Sequence, residues 1–390
     1  MDPRNEEARI MGSPKADRRE FLQTSIGTAA AAALSAVRPR GARAQEKAGP
    51  PGPPRLRFAA IGLNHDHING QTDAVIRAGG ELVSFYAKEP ELASAYGKRY
   101  PGARLARDER EILEDPKIQV VVNAGIPNER APLGVRVMRH GKDYVVDKPG
   151  VTTLEQLEEV RRVQGETKRI YAIWYSERLE NRATVRAAEL VKAGAIGKVV
   201  QTVGLGPHRS RLATRPAWFF VRDQYGGILC DIASHQFEQF LFFTGSTKAE
   251  VVASQVANVN HPQHPGLEDF GDAMVRGDGG SGYIRVDWFT PGGLKTWGDG
   301  RLTILGTDGF IEIRKNIDLA GREGGNHLFL VDQKETRHVD CTDVALPYGP
   351  QLVDDVLHRT ETAMPQAHCF LAMELALQAQ ANAQKVRFRV

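Results

Sequence analysis

The stretch Tyr144-Val145-Val146-Asp147-Lys148-Pro149 constrains this chain most. Its apolar run has no polar alternation, the pattern of a short parallel strand covered on both faces. It ends on a carboxylate, a lysine and a proline. Thr153, at the N-cap of the helix that follows, and Gln156 three residues on fit a capping box. Ligands of open α/β sheets sit at the carboxyl ends of strands. Lys148 therefore stands where chemistry is done, although a surface lysine on a loop before a helix would read the same way.

The neighbouring segments extend this strand into a domain. Residues 56–62 form an apolar strand ending at Gly62, and helical pattern runs from Ile68 to Ala78 before Gly79-Gly80. Strands are expected over Glu81 to Tyr86, Ile118 to Asn123 and Ile170 to Trp174, with helices over Glu91 to Tyr100 and from Pro127-Asn128 to about His140. Strands alternating with short helices imply right-handed βαβ units and a parallel sheet.

The turn after the first strand is the natural pyrophosphate site of such a sheet, since it needs glycines and a helix N-terminus. It reads Gly62-Leu63-Asn64-His65-Asp66-His67. Only the first glycine of Gly-x-Gly-x-x-Gly is kept. Asn64 holds the second position, where asparagine tolerates positive φ better than most residues, and His67 the third. The acid that should end the second strand, to bind the adenosine ribose, is replaced by Ala87, and Lys88 follows it. A lysine there would pair with a 2′-phosphate, which favours NADP over NAD.

Residues 1–44 read as a leader. Arg18-Arg19-Glu20-Phe21-Leu22 is a twin-arginine pair ahead of an Ala-rich apolar stretch from Phe21 to Val37, and Ala42-Arg43-Ala44 is a small-x-small cleavage pattern. The expectation is Tat export to the periplasm with cleavage after Ala44, leaving no membrane anchor. The Gly/Pro-rich residues 45–54 form a linker. Export of a folded protein to a compartment without a nucleotide pool implies a tightly held cofactor. The three cysteines make an odd count, against a disulfide framework. With 41% hydrophobic and 25% charged residues the remainder is ordinary for a globular protein. A net charge of +3 gives no case for a nucleic-acid partner.

The first domain is expected over residues 55–175 and a second over 176–390. The second opens with a helix over 182–193, followed by strands near 199–204, 250–259, 272–275, 282–290, 301–305, 309–314 and 327–330. These predict an open, mostly antiparallel sheet with helices on one face. Gly226-Gly227 leads into a helix carrying Asp231 and His235, whose spacing of four would put both on one face. The run Pro365 to Lys385 has the period of an amphipathic helix that packs back on the first domain.

A degenerate glycine turn, an Asp-Lys-Pro strand end, the helix Gly226-Gly227-x-x-x-Asp231-x-x-x-His235 and the linker Ala193 to Lys198 together resemble the Gfo/Idh/MocA oxidoreductases, over roughly residues 55 to 385. The resemblance implies a Rossmann domain followed by an α/β domain whose open sheet forms a dimer or tetramer interface. It implies oxidation or reduction of sugars and polyols with NAD or NADP. Lys148 matches the catalytic lysine, and Asp231 and His235 the substrate-binding and acid/base pair. Gly62, Leu63, Asn64, His67, Pro127, Asn128, Asp147 and Lys148 fall on the cofactor positions. The departures are Asn64 for glycine, Ala87 for the ribose acid, Asp147 for glutamate, and Asn128-Glu129-Arg130 where the family often has Asn-His.

In such a site His235 would take the hydroxyl proton while Lys148 hydrogen-bonds the same oxygen, or the reverse, with Asp231 on a neighbouring hydroxyl. Arg178 and His208, with Arg209 beside it, are further substrate-binding candidates. Trp174, Trp218 and Phe219 are candidates for a sugar-stacking wall. No metal is expected, since His261 and His264 lack a third ligand at a usual spacing. Cys230 lacks a base partner. Two other functions fit the same residues: an NAD-dependent glycosidase working by transient oxidation, and a sugar-binding protein without redox activity.

Overall fold

The computed structural model describes residues 54–388, so the twin-arginine leader and its cleavage point lie outside the described residues. The first domain comprises β1 (Leu56–Ile61), α1 (His67–Arg77), β2 (Gly80–Tyr86), α2 (Pro90–Arg99), β3 (Arg104–Leu105), α3 (Glu109–Leu113), β4 (Val120–Asn123), α4 (Pro127–Arg139), β5 (Asp143–Asp147), α5 (Leu154–Thr167) and β6 (Tyr171–Trp174). The six strands are parallel, in the order β3-β2-β1-β4-β5-β6. Every residue of β4, β5 and β6 is buried, as their unalternating apolar sequence requires. The order reverses between β1 and β4, which opens a crevice at the carboxyl ends of the strands. Thr153 caps α5 by accepting from the Gln156 N–H (3.2 Å), and the Gln156 side chain returns to the Thr152 N–H (2.8 Å).

The second domain follows as α6 (Ser176–Leu179), α7 (Arg182–Lys192), β7 (Val199–Pro207), α8 (Arg222–Tyr225), α9 (Ile228–Asp231), α10 (Ser234–Thr244), β8 (Ala249–Ala257), β9 (Phe270–Gly277), β10 (Gly280–Asp287), β11 (Arg301–Gly306), β12 (Phe310–Arg314), β13 (His327–Val331), β14 (Thr336–Val339), α11 (Tyr348–His358), α12 (Gln366–Ala381) and β15 (Gln384–Lys385). Its nine strands run β14-β13-β12-β11-β7-β10-β9-β8-β15, antiparallel except at β7–β10 and β15–β8. Helix α10 lies on one face, close enough to β7 that a Cβ on Gly204 would sit 2.8 Å from Cγ of Gln236. On the opposite face Met274, Tyr283, Val203, Thr303, Glu312 and Phe329 form one cross-strand row.

Two expectations change. The helix after Gly226-Gly227 is two helices, α9 and α10, separated at Ile232-Ala233. Both glycines adopt positive φ (89° and 91°), and a Cβ on Gly227 would meet the Gln380 amide at 2.3 Å. Helix α12 is not amphipathic. Phe370, Met373, Leu375, Ala376 and Leu377 are all buried, because α12 is wedged between α5 and β6 on one side and α9, α10 and β8 on the other.

Gly134 lies in α4 where the helix crosses the sheet. A Cβ there would stand 2.5 Å from Tyr171 and 2.7 Å from Tyr144. Both rings are fully buried and pinned through their hydroxyls, to the Gly150 and Arg130 carbonyls. Helix propensity alone would make Gly134→Ala stabilising by about 1 kcal/mol. Overpacking against two fixed rings should reverse the sign and cost about 1–3 kcal/mol. Urea denaturation decides: an unchanged or raised midpoint would refute this packing.

Candidate active site

Two cavities meet at the carboxyl ends of the parallel strands. The first, about 620 Å³, lies at the β1/β4 reversal and is lined by Gly62, Asn64, Lys88, Glu89, Asn123, Gly125 and Asn128 among others. Gly62 has φ of 79°, and a Cβ on it would fall 2.6 Å from the Asn123 amide nitrogen and 3.0 Å from Gly125 Cα. Only glycine can open this wall. Among the described residues Oδ1 of Asn128 is buried with no hydrogen-bond partner, an acceptor left for a ligand hydroxyl. A glycine cradle, an orphaned acceptor and the start of α1 fit a dinucleotide. Leu63 is buried behind the turn and packs in the core.

Asn64 departs from expectation. Asn64 is not at positive φ; its amide donates to Oε1 of Glu89 (2.8 Å) across the cleft. Glu89, two residues beyond Ala87, is the acid that lines the cleft at the end of β2. Lys88 lines the cleft and makes an exposed pair with Glu129 (3.0 Å), for which a 2′-phosphate would have to compete.

Asp147 is buried at the end of β5, and its carboxylate meets Arg130 (3.1 Å), His67 (2.8 Å) and His65 (3.5 Å). Burial opposes its ionisation, but His67, Arg130 and His65 outweigh that and hold the carboxyl below the usual range. Arg130 is itself buried, and its guanidinium also donates to the carbonyls of Gly125, Asp147, Lys148 and Pro149. Asp147 and His67 therefore serve one another at the floor of the turn, and Asp147 lines neither cavity. His65, His67 and Asp147 bring ligand-type atoms within 4.8 Å of one another. With the Arg130 guanidinium already on the carboxylate and Lys148 adjacent, a divalent cation would enter a field of two fixed cations, and we assign none.

The second cavity, about 400 Å³, shares Asn64 with the first and is lined by His65, His67, Pro127, Lys148, His208, Asp231 and the aromatic wall Trp218, Phe219, Trp288 and Trp297. Lys148 Nζ lies 2.9 Å from Oδ1 of Asp231, joining the two domains. His208 donates Nδ1–H to the Gly206 carbonyl (3.0 Å), which leaves the lone pair on Nε2. Burial pushes its pKa down to about 4. Trp288 and Trp297 pack against its ring, at 5.4 and 4.6 Å between centroids.

Several expected site residues lie elsewhere. His235 does not line this cavity. It is 2% exposed, and burial holds it neutral, with Lys148 and His67 near enough to act in the same direction. Its Nδ1 is buried without a partner among the described residues. Nearby, Glu177 binds Lys315 and Gln236. Burial opposes the ionisation of Glu177, but Lys315 and the imidazoles bring its pKa down to about 2. Arg178 faces a separate groove, paired with Glu238 and stacked on Phe242 at 4.2 Å. Its partner lies on α10, and Arg178 is not on the lining of the cavity that holds Lys148. Trp174 is core, edge-on to Tyr348. His261 is held by Asp269 (2.8 Å), and His264 stacks on Phe220 (3.9 Å). Cys230 is buried with its thiol pushed up to about 12 by burial, which makes it inert.

Residues missed at the sequence level are His65, Arg130, Arg215, Trp288 and Trp297. The run His208-Arg-Ser-Arg-Leu-Ala-Thr-Arg215 carried a visible charge signal; the two tryptophans carried none that separates them from core.

Residues 56–175 match a family model described as oxidoreductase family, NAD-binding Rossmann fold, and residues 184–312 match the GFO/IDH/MocA C-terminal domain. The chain is 25% identical over 228 residues to 1,5-anhydro-D-fructose reductase of Ensifer adhaerens, covering 57% of this chain and 65% of that protein. It is 26% identical over 204 residues to levoglucosan dehydrogenase of Pseudarthrobacter phenanthrenivorans (51% of each). It is 26% identical over 269 residues to scyllo-inositol 2-dehydrogenase (NAD(+)) of Bacillus subtilis (66% and 74%). The matches thus span about half to three quarters of these relatives. Among solved structures, a candidate oxidoreductase from Erwinia carotovora atroseptica is 47% identical with a TM-score of 0.83, over 85% of this chain and 99% of that one. A 3-ketoreductase from Actinomadura kijaniata in complex with NADP shares the fold alone, at 15% identity and a TM-score of 0.66, over 86% and 99% of the two chains. With both domain profiles matched in order, and a solved relative at 47% identity spanned almost entirely, this chain belongs to the GFO/IDH/MocA oxidoreductase family.

Proposed function

We propose that this protein is an NAD(P)-dependent oxidoreductase acting on a sugar or polyol at a secondary alcohol or its carbonyl. The observation that carries this reading is the Lys148–Asp231 pair, 2.9 Å apart, in a cavity that opens through Asn64 onto the dinucleotide cleft. The names of the relatives, dehydrogenases and reductases of sugars and inositols, support the class. When bound, the nicotinamide supplies the hydride acceptor in oxidation and the donor in reduction. Gly62, Asn64, Pro127 and Asn128 would hold the nucleotide.

The remaining tasks fall to this chain's own side chains. The Lys148 amino group, fixed by Asp231, hydrogen-bonds the reacting oxygen, and the second carboxylate oxygen of Asp231 accepts from a neighbouring hydroxyl. A neutral imidazole takes the hydroxyl proton in oxidation and returns it in reduction. His235 is one candidate. His208 is favoured, because it lines the cavity and its Nδ1–H bond to Gly206 leaves Nε2 as the acceptor. The aromatic wall supplies apolar faces for the sugar ring.

Two further readings belong to the same proposal. The twin-arginine leader directs export with the nucleotide held in place. The uncovered sheet face, where Met274 and Leu305 are exposed, pairs with a second copy.

Three measurements test these assignments. Denaturing the purified protein should release NAD(H) or NADP(H); an empty supernatant, with no binding on titration, would refute the nucleotide-dependent reading. Lys148→Ala should lower turnover by about 10²–10⁴-fold with nucleotide retention unchanged, and near-wild-type turnover would remove Lys148 from the chemistry. The third is a pH effect on stability. The folded His208 has a pKa of about 4 against an ordinary value of about 6.5. Between those values the unfolded chain binds a proton that the folded chain does not. Stability is therefore full above about pH 6.5 and declines as pH falls toward 4, by about 1–3 kcal/mol from this residue. Urea midpoints at pH 7 and 4.5 should show the decline, and His208→Gln should lessen it; an equal decline in the variant would show that His208 is not held neutral.

A further inference from the structure

We propose that the substrate carries a carboxylate, and that Arg215 holds it on the aromatic wall while Lys148 and Asp231 engage the reacting carbon's oxygen. This rests on the oxidoreductase reading above and deepens it to an acidic sugar.

The loop after β7 brings Arg209, Arg211 and Arg215 to the cavity. They are not equivalent. Arg209 is committed to the loop between β10 and β11, donating through Nη2 to the carbonyls of Pro291 (3.0 Å), Leu294 and Thr296 (3.0 Å). Arg211 is exposed at the rim. Arg215 is partly buried, with its guanidinium carbon 4.3 Å from the Phe219 ring centroid and 4.9 Å from that of Trp288. Its Nε donates to the Ser210 carbonyl (2.9 Å), which fixes the plane. Among the described residues no carboxylate lies within ion-pair distance of it, and its terminal nitrogens have no protein acceptor.

A desolvated guanidinium without an anion is costly unless a ligand supplies one. Burial pushes the Arg215 pKa down, with Asp231 opposing. That opposition puts the cation within the field of the Lys148–Asp231 pair, as a substituent on the same small ring would require. The charge balance agrees. Arg130, Lys148, Arg209, Arg211 and Arg215 line the cavity against Asp66 and Asp231, and Asp147 lies beneath. Five cations stand against three anions. Arg130 is spent on Asp147 and Lys148 on Asp231, so the excess belongs to the arginine loop. A planar fork with two free N–H donors matches a carboxylate bidentately, and an aromatic floor matches the apolar face of a sugar ring.

A second source of anionic oxygen is the cofactor pyrophosphate, since the turn residues Asn64 to His67 border the same cavity. The test separates the two. Turnover and calorimetric binding are measured on the nucleotide-loaded protein with three matched pairs: D-glucuronate and D-glucose, D-galacturonate and D-galactose, D-gluconate and D-glucitol. In at least one pair the acid should exceed its neutral partner by 100-fold or more in kcat/KM or in affinity. Arg215→Met should bring that ratio below tenfold by raising the KM or Kd of the acid, with nucleotide retention unchanged. Arg215→Lys should fall between the two. Neutral sugars equal to or better than their acids in every pair would overturn the proposal without any variant. So would an Arg215→Met protein that loses nucleotide and keeps the acid preference, which would give the guanidinium to the pyrophosphate. If the protein holds no nucleotide, the oxidoreductase reading fails, and the calorimetric ratio still decides the carboxylate subsite.

Discussion

The buried pair of Asp147 and Arg130 organises the end of the parallel sheet. A carboxylate buried at the tip of β5 needs a full set of donors. Arg130 reaches it from the first turn of α4 and also gathers the carbonyls of Asp147, Lys148 and Pro149. The same guanidinium donates to Gly125 in the loop after β4, and the same carboxylate takes His67 from the turn after β1. Three strand ends are thereby fixed to one another, and Lys148 leaves that cluster in a single direction, toward Asp231. Two departures from the family pattern, Asp147 for glutamate and Arg130 in the first turn of α4, are one interaction. The shorter acid keeps its charge below the cavity surface, where the arginine meets it.

A second polar cluster holds the opposite wall. Glu177, at the start of α6, is shared by Lys315 and Gln236, and Lys315 also donates to Gln239. This joins the domain junction to α10 and β12's end, directly behind His235 and His208. A carboxylate so close would raise both imidazoles. Desolvation outweighs it at both rings, with Lys148 acting in the same direction, so both stay neutral. The neutrality that a proton acceptor needs thus comes from burial set by tertiary packing, which no local motif announces.

What could be read in advance follows the range of the forces involved. The parallel sheet was legible because burial on both faces leaves an uninterrupted apolar run, and β4, β5 and β6 are buried throughout. Lys148 and Asp231 were legible because each is placed by a local break: a strand end for one, a double-glycine turn for the other. The burial of His235 was not legible, because a spacing of four from Asp231 assumes one continuous helix, and Ile232-Ala233 interrupts it. The setting of Arg178 was not legible, because its partner, Glu238, lies 60 residues on. Helix α12 looked amphipathic only while one neighbour was imagined; it has neighbours on two sides. The aromatic wall draws Trp288 and Trp297 from the end of β10 and the loop beyond, and only tertiary pairing brings them to His208.

The degenerate turn is the sharpest case. Measured against Gly-x-Gly-x-x-Gly it has lost two of three glycines, which suggests a weakened nucleotide site. Each position has a physical reason for its residue. Gly62 is kept where a Cβ would strike Asn123 and Gly125, so the one glycine that the fold cannot replace is present. The backbone at Asn64 is not left-handed, so glycine is not needed there, and the asparagine amide instead ties the turn to Glu89 across the cleft. His67 starts α1 with its ring turned to Asp147 and not into the helix–strand contact that a third glycine would serve. The glycines were exchanged for side chains that anchor the turn from both sides. A turn held by Glu89 on one flank and Asp147 on the other is stiffer than a glycine loop, and such preorganisation lowers the cost of ordering the turn around a ligand.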